Sequence, residues 1–319
     1  MTVPAFDTLA IVVVNFASCA LLESNLVPLA RSVPAAQIVV VDNFTHPRER
    51  ERLVEMGQRE GWAVVLSDAN DGFGGGMNRG VERALELGRT AFLLLNPDAE
   101  IAADQVGVLL AEALAHPLTL VAPRILRPDG SVWFDGCDLD LNDGRIRALR
   151  HRASHPDARV TPWLSGACLL VSAALWSRVG GFGTEYFLYW EDVDLSWRVL
   201  QAGGDVRVCA EAVAVHAEGG TQGAGIERTA QGKSNAYYYF NVRNRMLFAA
   251  RNLTTEDAAR WRRHSTRVAW EILLQGGRRQ FLSSLRPLAS AARGLRDGRK
   301  ILLGAQGLTK LRAAKRVRD

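Results

Sequence analysis

Three short stretches carry side chains whose types and spacing could do chemistry. In "EYFLYWEDVDLSWR", residues 185–198, Glu191, Asp192 and Asp194 crowd the start of a helix-like segment beside Tyr186, Phe187, Tyr189 and Trp190. Carboxylates at a helix start commonly serve only as caps and dipole partners. A helix N-terminus lowers a carboxyl pKa, whereas a second acid and aromatic burial raise it, so one of Glu191 and Asp192 could be poised to take a proton from a hydroxyl. In "FLLLNPDAEI", residues 92–101, an apolar run stops at Asn96-Pro97-Asp98. The proline stops the ladder and leaves Asp98 as a rigid oxygen ligand, which suits Mg²⁺ or Mn²⁺ bridging a diphosphate; the same residue types also make plain turns. In "NDGFGGGMNRG", residues 70–80, glycines at 72, 74, 75, 76 and 80 stand between an expected strand and helix. Backbone there can approach a phosphate or sugar closely, and helix N–H groups favour an anion. His216, followed by "AEGGTQG", could add an imidazole ligand or be structural.

The elements that must position these residues are legible as alternating strands and helices. "LAIVVVNF", "QIVVVDN", "WAVVLSD" and "AFLLLNPD" read as buried parallel strands, with helical stretches such as "PRERERLVEMGQRE" and "GMNRGVERALELG" between them. The pattern predicts a doubly wound α/β sheet, in which ligands sit beyond the carboxyl ends of the strands. Asn15, Asp42 with Asn43, Asp68 to Asp71, and Asn96 with Asp98 all fall at such ends. Residues 118–163 are rich in Pro, Gly and Asp and read as small antiparallel hairpins, after which "WLSGACLLVSAALWSRVGGF" gives a strand and a short helix. A dinucleotide fingerprint is disfavoured, because the first strand ends in "VNFAS" without glycine and Met77 stands where the motif needs Gly or Ala.

Composition excludes other classes. The 319 residues are 48% hydrophobic and 23% charged, ordinary for a globular chain, and no apolar run reaches the ~18–20 residues a membrane span needs. Cytoplasmic residence, with the four scattered cysteines reduced, is the expectation. From Arg251 onward there are 17 Lys and Arg against 5 Asp and Glu, while the preceding residues hold 22 against 29. This C-terminal part, residues 251–319, suits basic amphipathic helices that either attach to an anionic membrane face or an acidic partner, or pack on the main domain. Nucleic acid is not expected as a partner, since few aromatics suited to base stacking accompany the basic residues.

Taken in order, "VVVNF", "VVVDN", "NDGFGGGMNRG", "LLNPDAEI", "GACLLV" with "VGGF", and "FLYWEDVDLSWRVLQAG" strongly resemble family 2 glycosyltransferases of the GT-A fold, particularly the rhamnosyltransferase-like branch. The resemblance spans about residues 8–250 and includes "YYYFNVRNRMLF". It implies a mixed α/β sheet with a nucleotide-sugar half (1–117), an acceptor half (118–250) and a helical extension. It further implies inverting, metal-dependent transfer of a sugar from a nucleotide diphosphate to an acceptor hydroxyl. The donor would be a dTDP-deoxysugar such as dTDP-rhamnose, or a UDP-sugar. The acceptor would be a glycan, glycolipid or small molecule, and an oligomer is compatible with the pattern. Carried over, Asn15 and Asp42 belong to the nucleotide site, with Asp42 on the base. Asn70, Gly72, Phe73, Gly74, Gly75 and Asn78 shape the pocket, and Asn96 and Asp98 stand at the DxD position with Asp98 on the metal. Asp192, or alternatively Glu191, is the base, His216 joins the metal, and Arg243 with Asn244 either assists the leaving phosphate or closes the domain. Residues 217–231 are expected to form a lid. A sugar nucleotidyltransferase and a non-catalytic glycan- or nucleotide-binding relative are the rival readings.

Overall fold

The computed structural model describes residues 6–217 and 233–316. Four aliphatic runs form the parallel part of one sheet: β1 (Leu9–Asn15), β2 (Gln37–Asp42), β3 (Ala63–Leu66) and β4 (Ala91–Leu95). Every residue of β1 and β4 is buried, as continuous apolar strands covered on both faces must be. The later strands are β5 (Ala99–Ile101), β6 (Thr119–Leu126), β7 (Val132–Phe134), β8 (Cys137–Asp140), β9 (Ile146–Ala148), β10 (Val160–Trp163), β11 (Cys168–Ser172) and β12 (Asp205–His216). The main sheet runs β3-β2-β1-β4-β11-β6-β12-β5 with β7 beside β6, and β11 is antiparallel to β4. The sheet is therefore mixed and matches the expected class. The chain passes from β1 outward to β2 and β3 and returns across β1 to β4, so the topological switch lies between β1 and β4. Asn15 pairs with Asp42 in register at that edge.

The glycine stretch differs from expectation in a specific way. It is not a loop ahead of the helix: helix Gly72–Glu86 starts at Gly72 and contains Gly74, Gly75, Gly76 and Gly80. A Cβ on Gly80 would lie 2.3 Å from a Val12 methyl, and one on Gly76 would lie 2.9 Å from a Val14 methyl. These two glycines let the helix axis close onto β1, which offsets their cost of about 1 kcal/mol each in helix propensity.

Residues 132–163 supply β7 and a separate three-stranded sheet in the order β10-β8-β9. Leu139 of that sheet shares an apolar cluster with helices Asn235–Asn252, Thr255–Leu274 and Arg286–Arg316, and the short helix Gln280–Ser283 connects the last two. Arg145 grips Glu271 at 2.6 and 2.7 Å, Arg159 meets Asp257 at 3.1 and 3.2 Å, and the Trp261 indole donates to the Leu141 carbonyl at 2.9 Å. Tyr186, Trp190, Phe248, Trp261 and Leu302 share one apolar cluster, so the basic C-terminal helices pack on the domain. No helix among the described residues is long and apolar enough to cross a membrane. Of the expected lid, Ala217 is described and residues 218–232 lie outside the described residues.

Candidate active site

The acidic motif sits on a strained corner. Phe187, Tyr189 and Trp190 have φ of 60°, 64° and 76°. For non-glycine residues such angles cost about 1–3 kcal/mol each and persist only where the surroundings over-determine them. Asn244 does so here: its buried Nδ2 lies 2.7, 2.9 and 2.8 Å from the carbonyls of Tyr186, Leu188 and Tyr189. Arg243 donates to the Glu185 carbonyl at 3.0 Å and to Asn244 Oδ1 at 2.6 Å. From the other side, the Phe73 N–H donates to the Phe187 carbonyl at 2.9 Å. Gly72, at φ 77°, allows that approach, because a Cβ there would stand 2.1 Å from the Phe187 oxygen. Gly72→Ala is accordingly expected to cost about 2 kcal/mol or more in urea unfolding; unchanged stability would show that this docking is not made.

Helix Glu191–Gln201 leaves the corner with three carboxylates in its first turn. Asp194 is spent on structure: it accepts from the Tyr186 hydroxyl at 2.9 Å, Asn252 at 2.9 Å and Arg198 at 2.7 Å. Glu191 and Asp192 remain. Glu191 is buried, and its Oε2 has no hydrogen-bond partner among the described residues. Burial, and then the neighbouring Asp192 charge, push its carboxyl well above the usual range. Asp192 is only half-buried. Burial raises its carboxyl to about 6, while the N–H groups of Gly166, 3.0 Å from Oδ2, and Val193, 2.8 Å from Oδ1, hold it down. The surroundings thus hold Asp192 as the more readily ionised member of the pair, while burial and the Asp192 charge favour the uncharged form of Glu191.

Gly166 lies in the loop between β10 and β11. One residue on, the Ala167 carbonyl accepts from the Asn96 N–H at 2.9 Å, so this loop joins Asp192 to the Asn96-Pro97-Asp98 turn. In the sequence Gly166 stands out only as the first letter of "GACLLV", since nothing in a residue type signals where its N–H will point.

Beyond that turn, Asp98 is 2% exposed and its Oδ1 lies 3.0 Å from His216 Nε2. Antiparallel pairing of β5 with β12 sets His216 opposite Ala99 and so brings together two residues 118 apart in the chain. Asn96 Oδ1 and His216 Nδ1 are buried without a hydrogen-bond partner among the described residues. The Trp133 ring lies 4.6 Å from the His216 imidazole, a contact the sequence did not signal because β7 is an isolated short strand. A carboxylate, an imidazole and an orphaned amide oxygen suit a hard divalent cation such as Mg²⁺ or Mn²⁺ that keeps positions for phosphate and water. No group of three or more His, Cys, Asp or Glu able to hold a metal assembles among the described residues.

On the nucleotide side, several predicted residues organise the edge itself. Asn15 Oδ1 accepts from the Ser18 N–H at 3.0 Å and hydroxyl at 2.9 Å, shaping the turn after β1. Asp42 is buried and accepts from Arg50 Nε at 2.6 Å, and that guanidinium sits 4.5 Å from the Phe44 ring centroid. Asn43 joins Asn70 Oδ1 and the Gly72 carbonyl, both at 2.9 Å, and accepts from the Asp71 N–H at 3.0 Å. Asn78 bonds both backbone groups of Phe182, at 2.9 and 2.8 Å. Phe73 meets Phe182 edge to face at 5.7 Å, and Cβ atoms on Gly74 and Gly75 would each come 2.9 Å from Phe182 and Asp71 side chains respectively. Asp42, Asn70, Gly72 and Asn78 are therefore each held by hydrogen bonds to neighbouring segments.

Comparison with known proteins gives this arrangement a family. A family model described as "Glycosyltransferase like family 2" matches residues 4–267. The chain is 26% identical over 248 residues to the low-salt glycan biosynthesis hexosyltransferase Agl10 of Haloferax volcanii, covering 76% of this chain and 75% of that one. It is 28% identical over 222 residues to the N-acetylglucosaminyl-diphospho-decaprenol L-rhamnosyltransferase of Mycobacterium tuberculosis, covering 62% and 72%. Among solved structures, GalNAc-T7 with UDP, GalNAc and Mn²⁺ superposes with a TM-score of 0.51 at 15% identity, over 76% of this chain and 51% of that one. S. aureus TarS 1–349 in complex with UDP superposes at 0.50 and 16% identity, over 94% and 91%. At such identities the structural matches speak to the fold, and the family match over residues 4–267 speaks to the activity: this chain belongs to glycosyltransferase family 2 and is a glycosyltransferase of the GT-A fold.

Proposed function

We propose that the enzyme transfers a sugar, a deoxyhexose such as L-rhamnose, from a dTDP- or UDP-sugar to an acceptor hydroxyl with inversion. The observation that carries this reading is the β10–β11 loop. Its Gly166 N–H holds ionised Asp192, and its Ala167 carbonyl holds the turn of Asn96 and Asp98, so a base and a diphosphate edge flank one short segment. Asp192 takes the acceptor proton as that oxygen bonds the anomeric carbon, and the bond from that carbon to the diphosphate oxygen breaks with its electron pair leaving on the nucleotide. One displacement inverts the centre and needs no covalent enzyme intermediate. Glu191, buried next to Asp192 and with its uncharged form favoured, keeps a second negative charge away from the base. Asp98 and His216 would hold Mg²⁺ or Mn²⁺, and a bound ion would supply positive charge to the departing diphosphate.

The sugar assignment is supported by two relatives named as rhamnosyltransferases, from Mycobacterium tuberculosis and Shigella flexneri. The first of these names a lipid-linked diphosphate acceptor, and we extend that class to this chain: a glycan or glycolipid presented on the cytoplasmic side of a membrane.

The test is melting temperature against nucleotide diphosphates with and without Mn²⁺ or Mg²⁺. At about a hundred-fold excess over Kd, dTDP or UDP is expected to add about 2.7 kcal/mol, with metal present only. Asp98→Asn, which keeps the side-chain shape, is expected to abolish the metal-dependent part. No shift with any nucleotide diphosphate would overturn the reading.

A further inference from the structure

The helical layer ends in a corner that the catalytic reading leaves unused. Helix Thr255–Leu274 passes through the short helix Gln280–Ser283 into helix Arg286–Arg316. The corner is held in place from beneath. The Tyr238 hydroxyl donates to Gln280 Oε1 at 2.6 Å, Gln280 Nε2 donates to the Leu273 carbonyl at 2.7 Å, and a Cβ on Gly276 would lie 2.0 Å from that hydroxyl. Its apolar side chains nevertheless face outward: Leu282 is 89% exposed, Leu285 68%, Trp270 48% and Leu288 42%. Trp270 stacks flat on Phe281, with ring centroids 5.8 Å apart and planes 7° from parallel. Single exposed leucines are ordinary, but a cluster of them on an ordered corner marks an interaction surface.

Charge identifies the partner. Residues 272–296 contain Arg278, Arg279, Arg286, Arg293 and Arg296 and no Asp or Glu. Arg278, Arg279 and Arg286 are exposed and make no ion pair with a described residue, whereas Arg145, Arg152, Arg159 and Arg207 elsewhere each have a carboxylate within 3.2 Å. Unpaired arginines ringing exposed Leu and Trp complement an anionic bilayer: the apolar groups enter the headgroup boundary and the guanidiniums meet phosphates. A second copy of this chain is a poorer fit, because the one acid of the corner, Glu271, is held by Arg145 and Arg267, so that joining two such corners brings like charges together.

The corner also lies beside the active site. Tyr237, next to Tyr238, packs edge to face on Tyr189 of the strained segment at 5.3 Å, and its hydroxyl donates to Gln275. We propose that the 270–288 corner seats the enzyme on an anionic membrane surface and thereby presents the Asp192 site to an acceptor carried in that membrane. The acceptor half of this inference rests on the transfer reading above; the docking half stands on the corner alone.

Flotation of the full chain with vesicles tests it. Binding is expected to phosphatidylcholine vesicles containing phosphatidylglycerol, and little to phosphatidylcholine alone. Leu282→Ser with Leu285→Ser is expected to lower partitioning about ten-fold or more, and Arg278→Gln with Arg279→Gln and Arg286→Gln by a similar factor. These side chains are exposed, so an unchanged melting temperature verifies that the variants fold. Absence of flotation with the anionic vesicles, flotation unaffected by both variants, or a dimer in light scattering that the leucine variant dissolves would each overturn the docking. The nucleotide-dependent melting shift is read separately, so a protein that floats without binding nucleotide would refute the transfer reading and leave the docking intact. A leucine variant that kept full activity on a vesicle-borne acceptor would refute the presentation role.

Discussion

Replacing Asp192 with Asn is expected to lower kcat about 10²–10⁴-fold, the usual worth of a positioned general base, while the nucleotide-dependent melting shift persists. The amide is isosteric and can still accept one of the two backbone N–H bonds from Gly166 and Val193, so the helix start should survive. The pH profile provides the sharper readout. Burial sets Asp192 at about 6, and the base acts only when ionised. Native kcat/KM should therefore rise through about pH 6 to a plateau at neutral pH and fall about ten-fold per unit below that. The Asn variant should lose this limb. Glu191→Gln should retain both the limb and most of the rate, because burial and the Asp192 charge already favour the uncharged form of Glu191. If Glu191→Gln were the variant that lost the limb, the roles of the two acids would be reversed; near-normal turnover by Asp192→Asn would remove the mechanism.

The second large effect falls far from the reacting atoms. Asn244→Ala strips the shared donor from three carbonyls and releases three residues held at positive φ. The Tyr186 carbonyl keeps the Leu188 N–H at 2.7 Å, whereas the Leu188 and Tyr189 carbonyls lose this donor at about 1–3 kcal/mol each, so a loss of about 3 kcal/mol in urea unfolding is expected. At ~2–4 °C per kcal/mol for a chain of this order, calorimetry should show a drop of roughly 10 °C. Because Trp190 leads directly into Glu191 and Asp192, the surviving folded fraction should also show kcat reduced about 10²-fold through misplacement of the base. Asn244→Asp distinguishes donation from packing: a carboxylate of equal size cannot donate to carbonyls and should be at least as damaging as Ala. An Asn244→Ala protein with native stability would refute the clamp.

Much of this protein is determined at the level of sequence alone. Continuous aliphatic runs separated by amphipathic stretches specify a doubly wound α/β sheet, because strands covered on both faces need no polar alternation; that the sheet is mixed is implied by the family resemblance. Polar residues at the ends of those runs collect along one rim, since β1 to β4 run parallel and in register. Asp192, Glu191, Asp98 and His216 stand out there by type and position, and the ordered set of motifs carries the family.

What only the tertiary structure decides are the contacts between segments distant in the chain. His216 reaches Asp98 because β12 pairs with β5, a choice of partner strand that no local pattern encodes. Burial raises both acids, but a backbone N–H from a remote loop reaches Asp192 and holds it down at about 6, whereas Glu191, with no such donor and with the Asp192 charge beside it, is pushed well above the usual range. The glycines of residues 72–80 read as room for a ligand, yet Gly72 makes room for Phe187 and Gly80 for Val12. Absence of a Cβ says that something comes close; which atom comes close is set by packing. The same holds for the basic C-terminus, where composition leaves a packed helix and a membrane helix equivalent, and only the fold separates the arginines that find carboxylates from the arginine-rich corner that faces outward.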